Sequence, residues 1–395
     1  MDVRPKFRAD LVVLHQNDYA DSNRVVVKDP VSGKYFQLSA YEFHLLEALD
    51  GTISVEEAVG QLKREGRYYT SADAGAVVAK AAQLGLLLGT GYSSARYLKP
   101  LKTRLESLKK RRFLASIYYA FIPIFDPDSF LARTLWVFKL LVNRPMAYVA
   151  AAATLGAIGL IIAGLPRMQV EFLFFFTWHH LLFLWITIGL TKLVHEFAHA
   201  YTAKYFGLRV PEMGIAFLIF FPCLYCNTTE AWELANRRQR MLISAAGILA
   251  EAGLAVVATY VWYFTPPGLL NSLAFYQIAI SFLSTVVFNG NHLLKFDGYF
   301  ILIDMIGMPN LATNALKHVK YLFMNRVLGI SRFTTPAQNP RESTIFTIYG
   351  ISSFLYRMTL YAAIVTGVYY RFDKILGIVL AAVAAIAMAG QAEAE

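Results

Sequence analysis

Apolar and polar positions alternate on two different scales along this chain. Up to about residue 90, charged residues recur every few positions and apolar ones follow short periods, the pattern of a small soluble domain. Arg24-Val25-Val26-Val27-Lys28 and Lys34-Tyr35-Phe36-Gln37-Leu38 flank the turn-rich Asp29-Pro30-Val31-Ser32-Gly33, which predicts a β-hairpin. Ser39-x-x-Glu42 and Ser54-x-x-Glu57 are capping boxes, each opening a stretch with helical spacing, and a third helix fits residues 72–84. A hairpin followed by three helices predicts an α+β domain of winged-helix-like topology.

From about residue 113 the pattern changes to long uncharged runs. Residues 146–165 carry no charge over a length that spans a hydrocarbon core of about 30 Å. Similar runs cover 172–191, 241–264 with Glu251 inside, 269–291, 346–370 with Arg357 inside, and 375–391, so six membrane-spanning helices are expected. Residues 213–226 are also uncharged, but they are too few to cross and contain Pro222, which fits a re-entrant hairpin. Breaks at Pro123 and Pro127 make 113–142 interfacial. The expected fold is therefore mainly α, a polytopic membrane helix bundle, divided into a soluble domain at 1–92, a basic linker with interfacial helices at 93–142, and an embedded domain at 143–395.

Composition agrees: of 395 residues, 56% are hydrophobic and only 16% charged, too few charges for an ordinary soluble enzyme, and disorder, collagen and coiled coil are excluded. Two cysteines build no disulfide framework. The net charge of +10 is concentrated, since Arg96, Lys99, Lys102, Arg104, Lys109, Lys110, Arg111 and Arg112 face only Glu106. A basic run just before the first apolar span marks the cytosolic side of a membrane better than it marks a nucleic-acid site. The start of the chain lacks the apolar core of a signal peptide, and the distribution of lysine and arginine between the runs puts both termini in the cytosol.

The chemistry is concentrated in His195-Glu196-Phe197-Ala198-His199. Histidines four apart on a helix lie one turn apart and about 40° around it, so two imidazoles can hold one ion. The adjacent Glu196 can serve a water at that ion without being a ligand, the division of labour that zinc hydrolysis requires. Hydrogen-bonded polar residues in a bundle are the plainer alternative, but ionisable groups at membrane depth are costly without a use. A catalytic zinc needs a third protein ligand at the same depth. Asp297, beside Gly298, is the best candidate; Glu230 and Glu233 are rivals in a charged stretch with Arg237 and Arg238.

A membrane-embedded His-Glu-x-x-His followed by Asn291-His292-Leu293-Leu294-Lys295-Phe296-Asp297-Gly298-Tyr299 resembles the site-2 protease family of intramembrane zinc metalloproteases. The resemblance implies that His195, His199 and Asp297 bind zinc, that Glu196 is general base and acid, and that Asn291 holds substrate or oxyanion. The family's proline after the asparagine is replaced here by His292, which leaves open the local bend and an approach of His292 to the metal. Phe221-Pro222, residues 228–232, Arg237-Arg238-Gln239-Arg240 and Ala246-Gly247 resemble the peptide zinc metalloprotease subgroup, in which the hairpin after the catalytic helix takes substrate as an added strand. Arg4-Pro5, Lys28-Asp29-Pro30, Tyr35-Phe36-Gln37-Leu38-Ser39 and Leu49-Asp50-Gly51-Thr52 resemble a PqqD-like domain, which binds leader peptides of ribosomally made, modified peptides.

Together these resemblances imply an endopeptidase of a bacterial inner membrane, acting on a peptide or membrane protein near the cytosolic face, with the bilayer and export or maturation proteins as partners and no nucleic acid. Two other functions stay in play. One is a non-catalytic component of a peptide export or immunity system with a closed structural zinc site; the other is a membrane-anchored DNA-binding regulator, disfavoured because residues 72–84 carry one base, Lys80, beside Asp73. Cys223 and Cys226 read as small buried hydrophobes, His179 and His180 as residues of the outer surface about 24 Å from His195 along one helix, and Glu251 and Arg357 as an intramembrane pair.

Overall fold

A computed structural model describes residues 4–15, 24–30, 34–88, 119–173, 181–218, 221–234, 236–329, 334–337 and 339–371. The basic cluster at 96–112, His179, His180 and the expected span at 375–391 lie outside them. The chain divides into two compact units, one of Met1–Val142 with His199–Ile243 and the other of Asn143–Ala198 with Ser244–Glu395.

The first unit opens with a short strand, β1 (Lys6–Phe7), and an antiparallel meander of β2 (Val12–His15), β3 (Arg24–Asp29) and β4 (Lys34–Ser39), in the order β2-β3-β4. The hairpin register pairs Val27 with Phe36 and Val25 with Leu38. Three helices follow: α1 (Ala40–Glu47), α2 (Val55–Arg64) and α3 (Ser71–Gln83). Both capping boxes are formed, Ser39 with Glu42 and Ser54 with Glu57, so the first backbone N–H groups of α1 and α2 are satisfied by side chains. Strand β5 (Leu87–Leu88) returns to pair with β1. Val27, Leu38, Leu45, Leu46, Leu49, Leu62 and Leu86 form the buried core beneath the sheet and helices.

The same unit holds a second antiparallel sheet, in which β7 (Met213–Leu218) lies between β6 (Tyr119–Phe125) and β8 (Phe221–Cys226). Residues 213–226, expected as a re-entrant hairpin, form a β-hairpin. Part of the interfacial region is strand rather than helix, because β6 finds a partner in β7 far along the chain. Helix α4 (Asp128–Leu141) follows β6, and Asp128 accepts hydrogen bonds from Lys204 Nζ at 2.8 and 2.9 Å and from the Val210 N–H at 3.1 Å.

The second unit is helical: α5 (Arg144–Leu173), the helix α6 (Leu181–Tyr205) that runs on into the first unit, α7 (Arg237–Phe264), α8 (Leu269–Leu283), α9 (Asp297–Ile306), α10 (Leu311–Leu322) and α11 (Pro340–Arg371). Trp262 is fully buried among Phe275, Tyr276 and Ile278, and its indole N–H donates to Glu171 at 2.7 Å. Among the described residues, three helices are long and apolar enough to cross a membrane: Arg144–Glu171, Arg237–Phe264 and Leu269–Asn289. Large apolar side chains on them are exposed, among them Leu155, Ile162, Leu249 and Phe282, as expected of surfaces that face lipid. They coincide with three of the six expected spans, 146–165, 241–264 and 269–291.

Candidate metal centre

Helix α6 places His195 and His199 one turn apart on one face. Two of its hydroxyls are satisfied within the helix, since Thr187 and Thr191 donate at 2.7 Å to carbonyls four residues back. Both histidines are buried, at 3% and 8% exposure. Asp297 is the first residue of α9, where a carboxylate also benefits from the helix N-terminus. Its Oδ2 lies 3.0 Å from His195 Nε2. One donor atom from each of His195, His199 and Asp297 lies within 4.8 Å of the others.

The segment that presents Asp297 is pinned along its length. A π-helical turn (Ser284–Asn289) ends α8, and Asn291 Oδ1 accepts the Leu293 N–H at 2.8 Å. From α11, Tyr349 and Ser353 donate to the carbonyls of His292 and Leu293 at 3.1 and 2.9 Å. A Cβ at Gly298 would lie 2.6 Å from the Gly290 carbonyl oxygen, so only glycine lets α9 start this close to the π turn. Gly247 serves the histidine in the same way. A Cβ there would lie 2.3 Å from His195 Cε1 and 2.5 Å from Nε2, so the imidazole occupies the space a side chain on α7 would take.

The second nitrogen of each histidine lies close to an oxygen. His199 Nδ1 lies 2.7 Å from the Ile243 carbonyl oxygen, which can only accept, so Nδ1 carries the proton and Nε2 keeps its lone pair. His195 Nδ1 lies 3.0 Å from Glu251 Oε1. A neutral imidazole has one N–H; with it directed at Glu251, the Nε2 lone pair and the Asp297 carboxylate face each other and call for a cation between them. Two imidazole nitrogens and a carboxylate are a zinc donor set, and the 3.0 Å separation is close to the roughly 3.3 Å edge of a tetrahedron built on bonds of 2.0–2.1 Å. The residues present fit the ion.

The other candidates fall elsewhere. Glu196 is half-buried on α6, next to His195. Glu230 accepts from the Arg209 N–H at 3.0 Å, and Glu233 binds Lys28 and, at 2.7 Å, the Tyr35 hydroxyl. His292 is exposed and is not in the donor cluster. Cys223 and Cys226 are half-exposed rather than buried, and three apart on a strand they point to opposite faces. Glu251 does not pair with Arg357: its partners are Lys192, at 2.8 Å, and His195, because the α7 face that carries it turns toward α6. Glu251 and Gly247 were not singled out for the site. The small pair Ala246-Gly247 within an apolar helix was the available signal for the second.

Residues 183–392 match the family model of peptidase family M50, and this region contains His195, Glu196, His199 and Asp297. The chain belongs to peptidase family M50. M50 proteins are membrane zinc metalloproteases, in keeping with the three apolar helices. The M50 chain is also 24% identical over 157 residues to "Putative peptide zinc metalloprotease protein YydH" of Bacillus subtilis (strain 168), a match covering 40% of this chain and 60% of that relative. No solved structure gives a significant match.

Proposed function

We propose that this M50 chain is an intramembrane zinc-dependent endopeptidase of the site-2 protease type, cleaving a peptide or membrane protein near the cytosolic face. The observation that carries the reading is the meeting of His195, His199 and Asp297 donor atoms. Among the described residues the cluster has three protein donors, which leaves a position for water as a catalytic site requires and favours this reading over a closed structural site. Zinc, when bound, supplies Lewis acidity toward water and a peptide carbonyl. Glu196 takes the proton from the attacking water and returns it to the leaving amine. Asn291 contributes to holding the substrate.

A helical substrate hides its carbonyls in internal hydrogen bonds and must unwind before cleavage. The edge strands of the β6-β7-β8 sheet, β6 and β8, offer backbone groups that can hold it as an added strand. The amino-terminal meander and its three helices support the reading of residues 1–92 as a PqqD-like domain of winged-helix type that selects the leader of a ribosomally made peptide. Residues 93–142 then link it to the embedded domain at 143–395, with six spans and both termini on the cytosolic side of an inner membrane. Export or maturation proteins are the expected partners.

The test is co-expression of the chain, or of Glu196→Gln, with candidate peptides, read by mass spectrometry. A cleavage product that depends on Glu196 supports the proposal; the same product from both forms contradicts it.

A further inference from the structure

Glu251 is fully buried in the middle of an apolar helix, which is costly for a carboxylate unless it is surrounded by donors. It is surrounded. Its Oε1 accepts from Lys192 Nζ at 2.8 Å, Ser284 Oγ at 3.0 Å and Asn289 Nδ2 at 3.2 Å, and its Oε2 accepts from Thr285 Oγ1 at 3.0 Å. Ser284 in turn accepts from Lys192 at 2.6 Å and from Asn289 at 3.1 Å. Residues five apart diverge on an α-helix but share a face on a π turn, so the π geometry of 284–289 is what brings Ser284 and Asn289 to the same carboxylate. The remaining neighbour is His195 Nδ1, 3.0 Å from Oε1.

This arrangement joins both sides of the centre. Lys192 and His195 come from α6, Glu251 from α7, and the π turn leads directly into the segment that presents Asp297. His199 is oriented by a backbone carbonyl, whereas the partner of His195 is charged, and a carboxylate on the far nitrogen both fixes the tautomer and makes the ligand more basic. We propose that Glu251 is a positioning residue of the metal centre: it holds His195 with Nδ1 protonated and Nε2 turned to the ion, and anchors the turn that delivers Asp297. This rests on the reading that His195, His199 and Asp297 hold zinc.

The test uses the full chain purified in detergent, with zinc affinity measured by chelator competition and the ligand field by the visible spectrum of the cobalt-substituted protein. Glu251→Gln, which keeps the shape and removes the charge, is expected to weaken zinc binding by about 10-fold or more and to shift the cobalt spectrum, with Glu251→Asp recovering part of both. A purely structural ion pair with Lys192 would lower thermal stability but leave the affinity and spectrum of the folded protein unchanged, and that result overturns the proposal. If Glu251→Gln does not fold, Glu251→Asp is read by the same two measurements: weaker binding supports the proposal and unchanged binding overturns it. Loss of zinc in His199→Ala, with wild-type binding in the Glu251 variants, would overturn only the positioning role; a wild-type chain that binds no zinc removes the metal centre and this proposal with it.

Discussion

At His195 the ring has an oxygen on either side and the bare Cα of Gly247 against its face. Gly247→Ala puts a methyl group 2.3 Å from the ring, so the imidazole must shift. Such overpacking costs about 1–3 kcal/mol, and zinc content per purified chain is expected to fall. Glu196→Gln leaves the three donors in place, so it is expected to retain zinc while peptide cleavage drops by about 10²- to 10⁴-fold; loss of zinc in that variant would mean that the glutamate is a ligand instead. At this scale much was readable from spacing, because His195 and His199 meet by helical geometry alone. The partner of Glu251 was not. One acid in an apolar run says nothing about which neighbouring helix it faces, and Lys192 stands just beyond the end of its own uncharged run.

Among the elements, local signals were reliable and non-local ones were not. The two capping boxes involve residues three apart, and both are formed at the positions their motifs mark. Ser54→Ala is expected to lower the local stability of α2 by about 1 kcal/mol, seen as faster hydrogen exchange of its first-turn amides in the full chain. Unchanged exchange would show that the cap contributes little. The strands 119–125 and 213–226 were harder to read, since a short apolar run fits a helix or a strand equally well until its partner is known. For β6 that partner is β7, across a long stretch of intervening chain. The π turn is similarly invisible in sequence, because nothing local distinguishes Ser284–Asn289 from a continuing α-helix.

At the scale of the whole molecule, one long-range contact ties the amino-terminal hairpin to the turn that precedes α7, where Glu233 binds Lys28 and Tyr35. Burial alone would raise the Glu233 carboxyl, but the hydrogen bonds from Lys28 and Tyr35, with the charge of Lys28, hold it below its ordinary value. A depressed carboxylate contributes stability above its ordinary titration range and loses it as pH falls through the folded-state value. Exchange protection of residues 24–29 and 34–39, corrected for the intrinsic slowing of exchange in acid, should therefore fall on acidification, and Glu233→Gln should reduce that fall. As a membrane protein of the M50 family with three apolar helices among its described residues, the chain should also stay in the membrane fraction after an alkaline carbonate wash; release would contradict the span assignments.

The central claim concerns what His195, His199 and Asp297 do together, and the most direct measurement is X-ray absorption at the zinc edge of the purified, zinc-loaded chain. The account predicts one zinc per chain in a shell of nitrogen and oxygen at about 2.0–2.1 Å, lost when Asp297 or either histidine is replaced by alanine. A sulfur shell at about 2.3 Å, or undiminished zinc in those variants, would contradict it.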